Sequence, residues 1–143
     1  MSFNSPLFTA NADIYFDRSL QLFGDPNTLD LNGGVLALLK YTENNQGYAK
    51  FIVRTDSQDA WIFQPPINKN VILKSNFIMG VPRCDNVIAE ILSECGHIVS
   101  NPAFAIHAVE VHNSEREGLR NYSPKNSVVG PVRDVLLSDR MVF

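Results

Sequence analysis

The stretch Gly80-Val-Pro82-Arg-Cys84-Asp85 leads into the most regular part of the sequence, which ends at Gly96. Apolar side chains recur between these points every three or four residues, at Val87, Ile88, Ile91, Leu92 and Cys95. This spacing places them on one face of a helix, and a glycine is a common C-terminal stop. We therefore predict an amphipathic helix that begins near Asp85 and ends at Gly96.

Short apolar runs on both sides of this helix predict strands, since each run is bounded by turn-forming residues. A further short helix is expected between Asp17, as its N-cap, and Gly24. Many short strands with few helices indicate an α/β or α+β fold with a mixed sheet. The predicted extended segments cover residues 7–10, 35–41, 51–53, 60–63, 97–100, 104–112 and 128–137.

Length and composition restrict the class of protein. The chain has 143 residues, of which 45% are hydrophobic, and this suits a single globular domain with one core. A net charge of -3 argues against sequence-independent nucleic-acid binding, which needs clustered basic residues. The two cysteines, Cys84 and Cys95, form no CxxC pair and are expected to stay reduced. Since we find no membrane-length apolar run and no signal-peptide pattern, we expect a soluble cytoplasmic protein.

Several polar motifs follow one another in a characteristic order. They are Asn11-Ala-Asp13-Ile-Tyr-Phe-Asp17, Ser57-Gln-Asp59-Ala-Trp61-Ile-Phe63, Gly80-Val-Pro82-Arg-Cys84-Asp85-Asn86-Val-Ile-Ala89, Asn101-Pro102, His112-Asn-Ser114 and Arg120-Asn-Tyr122. In this order and spacing the chain resembles bacterial and viral glycosyltransferase-like proteins of the GT-A fold. The resemblance extends from about residue 8 to the C-terminus.

The resemblance implies metal-dependent transfer of a sugar from a nucleotide-sugar donor to a hydroxyl of a glycan acceptor. It also implies that residues 1–143 form one domain that corresponds to the C-terminal half of a GT-A enzyme, without the usual nucleotide-binding half. The isolated chain would then be inactive unless a partner supplies that half. The alternative is a non-catalytic module that binds a carbohydrate or another ligand. Strand edges left uncovered in such a half predict a homo-oligomer.

The resemblance places a divalent metal, Mn²⁺ or Mg²⁺, at the motif around Asn11 and Asp13. These ions prefer oxygen ligands, so Asp13 is the first candidate and Asn11 a second, through its side-chain oxygen or a water. His112 matches a late metal-binding histidine, and Glu110 projects to the same side of a strand. The alternative is that Asp13 forms a turn and that His112 is a structural hydrogen-bonding residue.

The resemblance also points to the catalytic base. Asp85 lies where GT-A enzymes carry the carboxylate that takes the proton of the acceptor hydroxyl, and Asp59 is the second candidate. As an alternative, Asp85 is the N-cap of its helix, where backbone N–H groups would lower its pKa.

Three further side chains are candidates for ligand contacts. The ring of Trp61 either stacks on a sugar or belongs to the core. Lys40 and Arg120 are candidates for contacts with phosphate, although exposed cations are usually only solvated.

Overall fold

The computed structural model of the chain describes residues 5–24, 31–111 and 127–138. Within these ranges it contains eight short strands, two α-helices and a 3₁₀ helix over Arg18–Phe23. The mixed α/β class with few helices is therefore confirmed. The strands are β1 (Leu7–Ala10), β2 (Ile14–Phe16), β3 (Val35–Leu38), β4 (Lys40–Glu43), β5 (Ala49–Phe51), β6 (Ala60–Phe63), β7 (Val99–Ser100) and β8 (Ala108–Val111), and the helices are α1 (Lys69–Lys74) and α2 (Cys84–Glu94).

The strands form two four-stranded sheets, with orders β1-β6-β3-β7 and β2-β8-β4-β5. In the first sheet, β6 runs antiparallel to both β1 and β3, and β7 runs parallel to β3. The C-terminal ends of β1, β3 and β7 therefore lie at the same end of the sheet, and β6 begins there. Polar residues that follow β1 and β3, or precede β6, must consequently meet at this end of the sheet.

The chain passes from the first sheet to the second at this same end of the strands. The predicted strand over residues 35–41 is two strands, because the chain changes sheets at Leu39. The N–H of Leu39 donates to Oδ1 of the buried Asn101, at 3.2 Å, while the carbonyl of Leu38 accepts from the N–H of Asp59. An analogous change of sheet joins β1 to β2 through residues 11–13.

The apolar core occupies both faces of the first sheet. One cluster packs α1 and α2 against β3 and β6 and includes Trp61, Val87 and Leu92. The other lies between the two sheets and includes Leu36, Ile62 and Ile106. Both clusters draw on β3 and β6, which explains why the four residues of β3 are all buried.

Helix α2 begins one residue earlier than the sequence indicated. Arg83 occupies the N-cap position with φ 72°, and the N–H of Cys84 donates to the carbonyl of Val81, so the turn closes before Asp85. The prediction that Asp85 is the N-cap is therefore wrong, since it lies within the first helical turn. The predicted apolar face is confirmed, with Val87, Ile91 and Leu92 buried.

Other boundaries also differ from the predictions. The expected strand over residues 104–112 begins only at Ala108, because the N–H groups of Ala105 and Ile106 turn back onto the carbonyl of Pro102. The expected strand over residues 51–53 lies instead at Ala49–Phe51. The segment 128–137 contributes only an isolated bridge between Leu137 and Asn101.

The short helix that follows Asp17 is confirmed, since the Asp17 carboxylate accepts from the N–H of Ser19. None of the helices in the described ranges has the length and apolar character that a membrane crossing requires.

Strand β1 forms an edge of the first sheet, and its four residues are all exposed. Leu7 and Phe8 are 49% and 44% exposed, and the strand carries no charged side chain. Uncharged edges of this kind pair readily with other strands. We therefore expect the chain to self-associate through β1, and Leu7→Lys to shift it to monomer in sedimentation equilibrium at micromolar concentration.

The matched control is Ile72→Lys, which places the same charge on the exposed surface of α1, where Ile72 is 69% exposed. This variant should associate like the parent chain. A parent chain that sediments as a monomer, or an equal loss of association in both variants, would contradict pairing through β1.

Candidate functional site

A cleft of about 1020 Å³ lies where the strand ends of the first sheet meet the N-terminus of α2. Its walls bring together residues that are far apart in the sequence. Five of them were predicted as site residues, namely Asn11, Asp13, Lys40, Asp59 and Asp85. Three further charged residues, Arg54, Asp56 and Arg83, also line the cleft.

An ionic junction on Lys40 joins the two sheets at the floor of this cleft. The Lys40 ammonium lies 2.7 Å from Oε1 of Glu110 and 3.2 Å from Oδ1 of Asp59. Glu110 belongs to β8 of the second sheet, whereas Asp59 directly precedes β6 of the first. The side chain of Lys40 is 23% exposed, whereas Asp59 and Glu110 are almost fully buried. Lys40 is thus engaged by two carboxylates that water barely reaches.

Burial and charge act differently on the two partners of this ion pair. Burial raises the pKa of Asp59, and the nearby Lys40 offsets this only in part, while the charges of Glu110 and Asp13 add to it. Burial also opposes the charged form of Lys40. Its hydrogen bond to Glu110 and the charges of both carboxylates outweigh that effect and raise the Lys40 pKa. The junction therefore holds a firmly charged ammonium and a carboxylate that holds its proton more strongly than usual.

Asp85 projects from the first turn of α2 into the cleft, where it is half-buried. Burial raises its pKa, and the charge of Asp59 adds to this. Hydrogen bonds from the Cys84 thiol, at 3.3 Å, and from the backbone of Gln58 act in the opposite direction but do not outweigh burial. The expected lowering of the Asp85 pKa by an N-cap position is therefore wrong, because burial outweighs the hydrogen bonds that the carboxylate accepts.

The Asn11–Asp13 loop is held in place by main-chain hydrogen bonds. The N–H of Asn11 donates to the carbonyl of Asp59, and the N–H of Val111 donates to the carbonyl of Asp13. The Asn11 side-chain amide also donates to Oδ1 of Asp59, at 3.2 Å. These contacts present Asn11 and Asp13 to the same cleft as Asp59.

The predicted metal ligands are only partly covered by the structure. Glu110, Asp13 and Asn11 lie in the described part of the chain, where no group of three His, Cys, Asp or Glu side chains is placed to hold a metal ion. Glu110 instead binds Lys40. His112 and the predicted phosphate contact Arg120 lie outside the described residues, so their roles stay predictions.

Burial decides the roles of Trp61 and Cys84. The ring of Trp61 is only 6% exposed and packs in the core, which excludes it from stacking on a ligand in the cleft. Cys84 is buried at the start of α2, and burial raises the pKa of its thiol to about 11. A thiol of such high pKa is a poor nucleophile at neutral pH.

Sequence reasoning missed the arginines of the cleft. Arg83 has a positive φ and lines the cleft, and its guanidinium donates to the carbonyl of Gly130. Arg54 forms a bidentate pair with Asp56, with both contacts at 3.0 Å. The opposite charges two residues apart were the only signal for this pair.

Replacing Lys40 by methionine should destabilise the fold in a pH-dependent manner. The variant leaves Asp59 and Glu110 buried without their cation, a loss of about 3 kcal/mol at neutral pH. Protonation removes the unpaired charge, and the folded-state pKa of Asp59 already lies above its usual 3.8. The loss should therefore shrink as the pH falls from neutral towards about pH 5. Thermal unfolding across this pH range measures the effect.

Lys50→Met is the matched control, since Lys50 is exposed on the neighbouring strand β5. It should unfold like the parent chain at every pH. A Lys40→Met variant whose loss of stability stays constant with pH would show that the two carboxylates do not depend on Lys40.

Comparison of the chain with protein-family models, with curated proteins and with solved structures gave no match. A function for this chain is therefore inferred from the geometry of the cleft.

Proposed function

We propose that the cleft is the sugar- and diphosphate-binding side of a glycosyltransferase-like site. One observation carries this proposal. The polar residues Asn11 and Asp13, Asp59, and Asp85 belong to three separate motifs, and all of them line one cleft at the strand ends. Ligand sites of α/β proteins commonly lie at the carboxyl ends of the parallel strands, where the chain direction changes between neighbouring elements.

In this proposal Asp85 is the proton acceptor. The acceptor hydroxyl forms a bond to the anomeric carbon as the bond from that carbon to the diphosphate breaks, and the hydroxyl proton passes to the Asp85 carboxylate. A raised pKa supports this assignment, since a carboxylate of higher pKa is a stronger base. Asp59 is less suited to the role because Lys40 and Asn11 both bind its Oδ1.

Asp13 and Asn11 would hold a divalent cation beside the diphosphate. Their side chains offer oxygen donors at the cleft, the type that Mg²⁺ and Mn²⁺ prefer, and the Asn11 amide keeps its oxygen while its nitrogen binds Asp59. A bound ion would neutralise charge on the leaving diphosphate. The contribution of this chain is to fix the two residues through the main-chain bonds of their loop.

The described lining of the cleft includes no aromatic ring on which a nucleobase could stack. Contacts to a nucleotide-sugar would therefore be concentrated on its sugar and phosphates. A small, wet contact of this kind must overcome the cost of immobilising the ligand, so we expect weak binding and no turnover by the chain alone.

Saturation-transfer NMR tests this distribution of contacts. The ligands are UDP-glucose, UDP-galactose, UDP-N-acetylglucosamine and GDP-mannose, and diamagnetic Mg²⁺ is used in place of Mn²⁺. For at least one of these compounds, we expect the sugar protons to receive more saturation than the base protons. Stronger saturation of the base protons throughout the panel, or no transfer to any compound, would contradict the proposed function.

Metal binding has a separate test. Mn²⁺ should raise the melting temperature of the chain by mass action, and Asp13→Ala should abolish the rise without unfolding the protein. Asp134→Ala is the control, because it removes an exposed carboxylate of the C-terminal segment that bonds to the Thr55 hydroxyl. An Mn²⁺ effect that persists in Asp13→Ala, or that is absent from the parent, would leave Asp13 with a turn role only.

A further inference from the structure

The charge around Lys40 determines what kind of ligand group it can accept. Its ammonium is shared by Glu110 and Asp59, so the group of three carries one net negative charge when all are ionised. Asp85 lies half-buried in the same cleft and adds a further carboxylate, whose pKa is raised by burial and additionally by the charge of Asp59. A phosphate brought to Lys40 would meet this excess negative charge at short range and low dielectric. The junction is therefore a poor phosphate site.

Hydrogen-bonding capacity nevertheless remains at the junction. Lys40 has three N–H donors, and Glu110 and Asp59 occupy two of them. On the other partner, Oδ2 of Asp59 is buried and has no hydrogen-bond partner among the residues that the structure describes. A buried carboxylate oxygen without a donor is costly, so a ligand that supplies the donor is favoured. The cleft thus offers one donor and one acceptor on two bonded side chains.

We propose that Lys40 and Asp59 together bind neighbouring hydroxyl groups of a sugar, and that Lys40 is not a phosphate ligand. One hydroxyl oxygen accepts from the third N–H of Lys40, whose partly exposed side chain faces the cleft. The adjacent hydroxyl donates to the carboxylate of Asp59, which lines the same cleft. A diol is neutral, so the excess negative charge of the junction does not oppose it. This inference rests on the proposed function and assigns the sugar-recognition contacts of the same cleft.

The experiment is a thermodynamic cycle between protein side chains and ligand hydroxyls. Methyl α-glucoside, methyl α-galactoside and methyl α-mannoside are titrated at millimolar concentrations by saturation-transfer NMR. The glycoside with the largest signal is then compared with its analogues that each lack one ring hydroxyl. Each compound is measured with the parent chain, Asp59→Asn and Lys40→Gln. The controls Glu94→Gln and Lys50→Gln remove the same charges from exposed positions on α2 and β5.

We expect Asp59→Asn to weaken binding roughly tenfold, the effect of losing a hydrogen bond to a charged group. Deoxygenation at one ring position should weaken binding to the parent equally and have no further effect in Asp59→Asn. Lys40→Gln should show the same non-additivity at the adjacent position. Melting temperatures identify any variant that does not fold, and Asp59→Ser then replaces Asp59→Asn.

Additive effects at every ring position would overturn the inference, as would a parent chain that binds none of the glycosides. Displacement of the glycoside by inorganic phosphate in the parent but not in Lys40→Gln would also overturn it, by making Lys40 a phosphate ligand. Failure of the proposed function would give a different result from failure of this inference. Non-additive glycoside binding without any transfer from nucleotide-sugars would retain the hydroxyl contacts and reject the transferase-like role.

Discussion

The fold of this protein is organised around two buried carboxylates that have to be paired with a cation. The Lys40 ammonium touches Asp59 of the first sheet and Glu110 of the second, and both carboxylates are almost fully buried. A buried ion is strongly unfavourable unless its partners are held at hydrogen-bond distance, so the three side chains constrain the relative position of the two sheets. Asn11 extends this constraint to the loop after β1 through its bond to Asp59.

The same constraint determines the chemistry of the cleft. Burial raises the pKa of both Asp59 and Asp85, and the charges of neighbouring carboxylates add to this, so both groups hold protons more strongly than exposed acids do. Lys40 compensates part of this charge, but its own positive charge is already paired with Asp59 and Glu110. In the proposed function, neutral hydroxyl groups therefore lie at the floor of the cleft, and any phosphate would depend on a cation elsewhere in the cleft. The proposed metal at Asp13 would be such a cation.

Helix α2 is held at the cleft by contacts at its N-terminal end. The C-terminal segment runs past it, where Asn86 exchanges hydrogen bonds with the main chain of Arg133 and the N–H of Val128 donates to the carbonyl of Pro82. Gln58 adds a main-chain bond to the Asp85 carboxylate from the loop before β6. Asp85 is thus positioned by elements from three parts of the chain, which limits how far its carboxylate can move.

The sequence by itself determined the local elements whose cause is local. The apolar spacing of α2, the cap at Asp17 and the run of β6 were all predicted, because side-chain periodicity and turn chemistry act over a few residues. The motif order also indicated Asn11, Asp13, Asp59 and Asp85 as site residues, and Lys40 was a separate candidate for a phosphate contact; all five line one cleft. Tertiary structure alone decided that the chain changes sheets at Leu39, since that break depends on Asn101, 62 residues away. It likewise decided that Glu110 pairs with Lys40 and that burial, rather than a helix cap, governs the Asp85 pKa. These outcomes follow from charges and hydrogen bonds between distant segments, which no local pattern encodes.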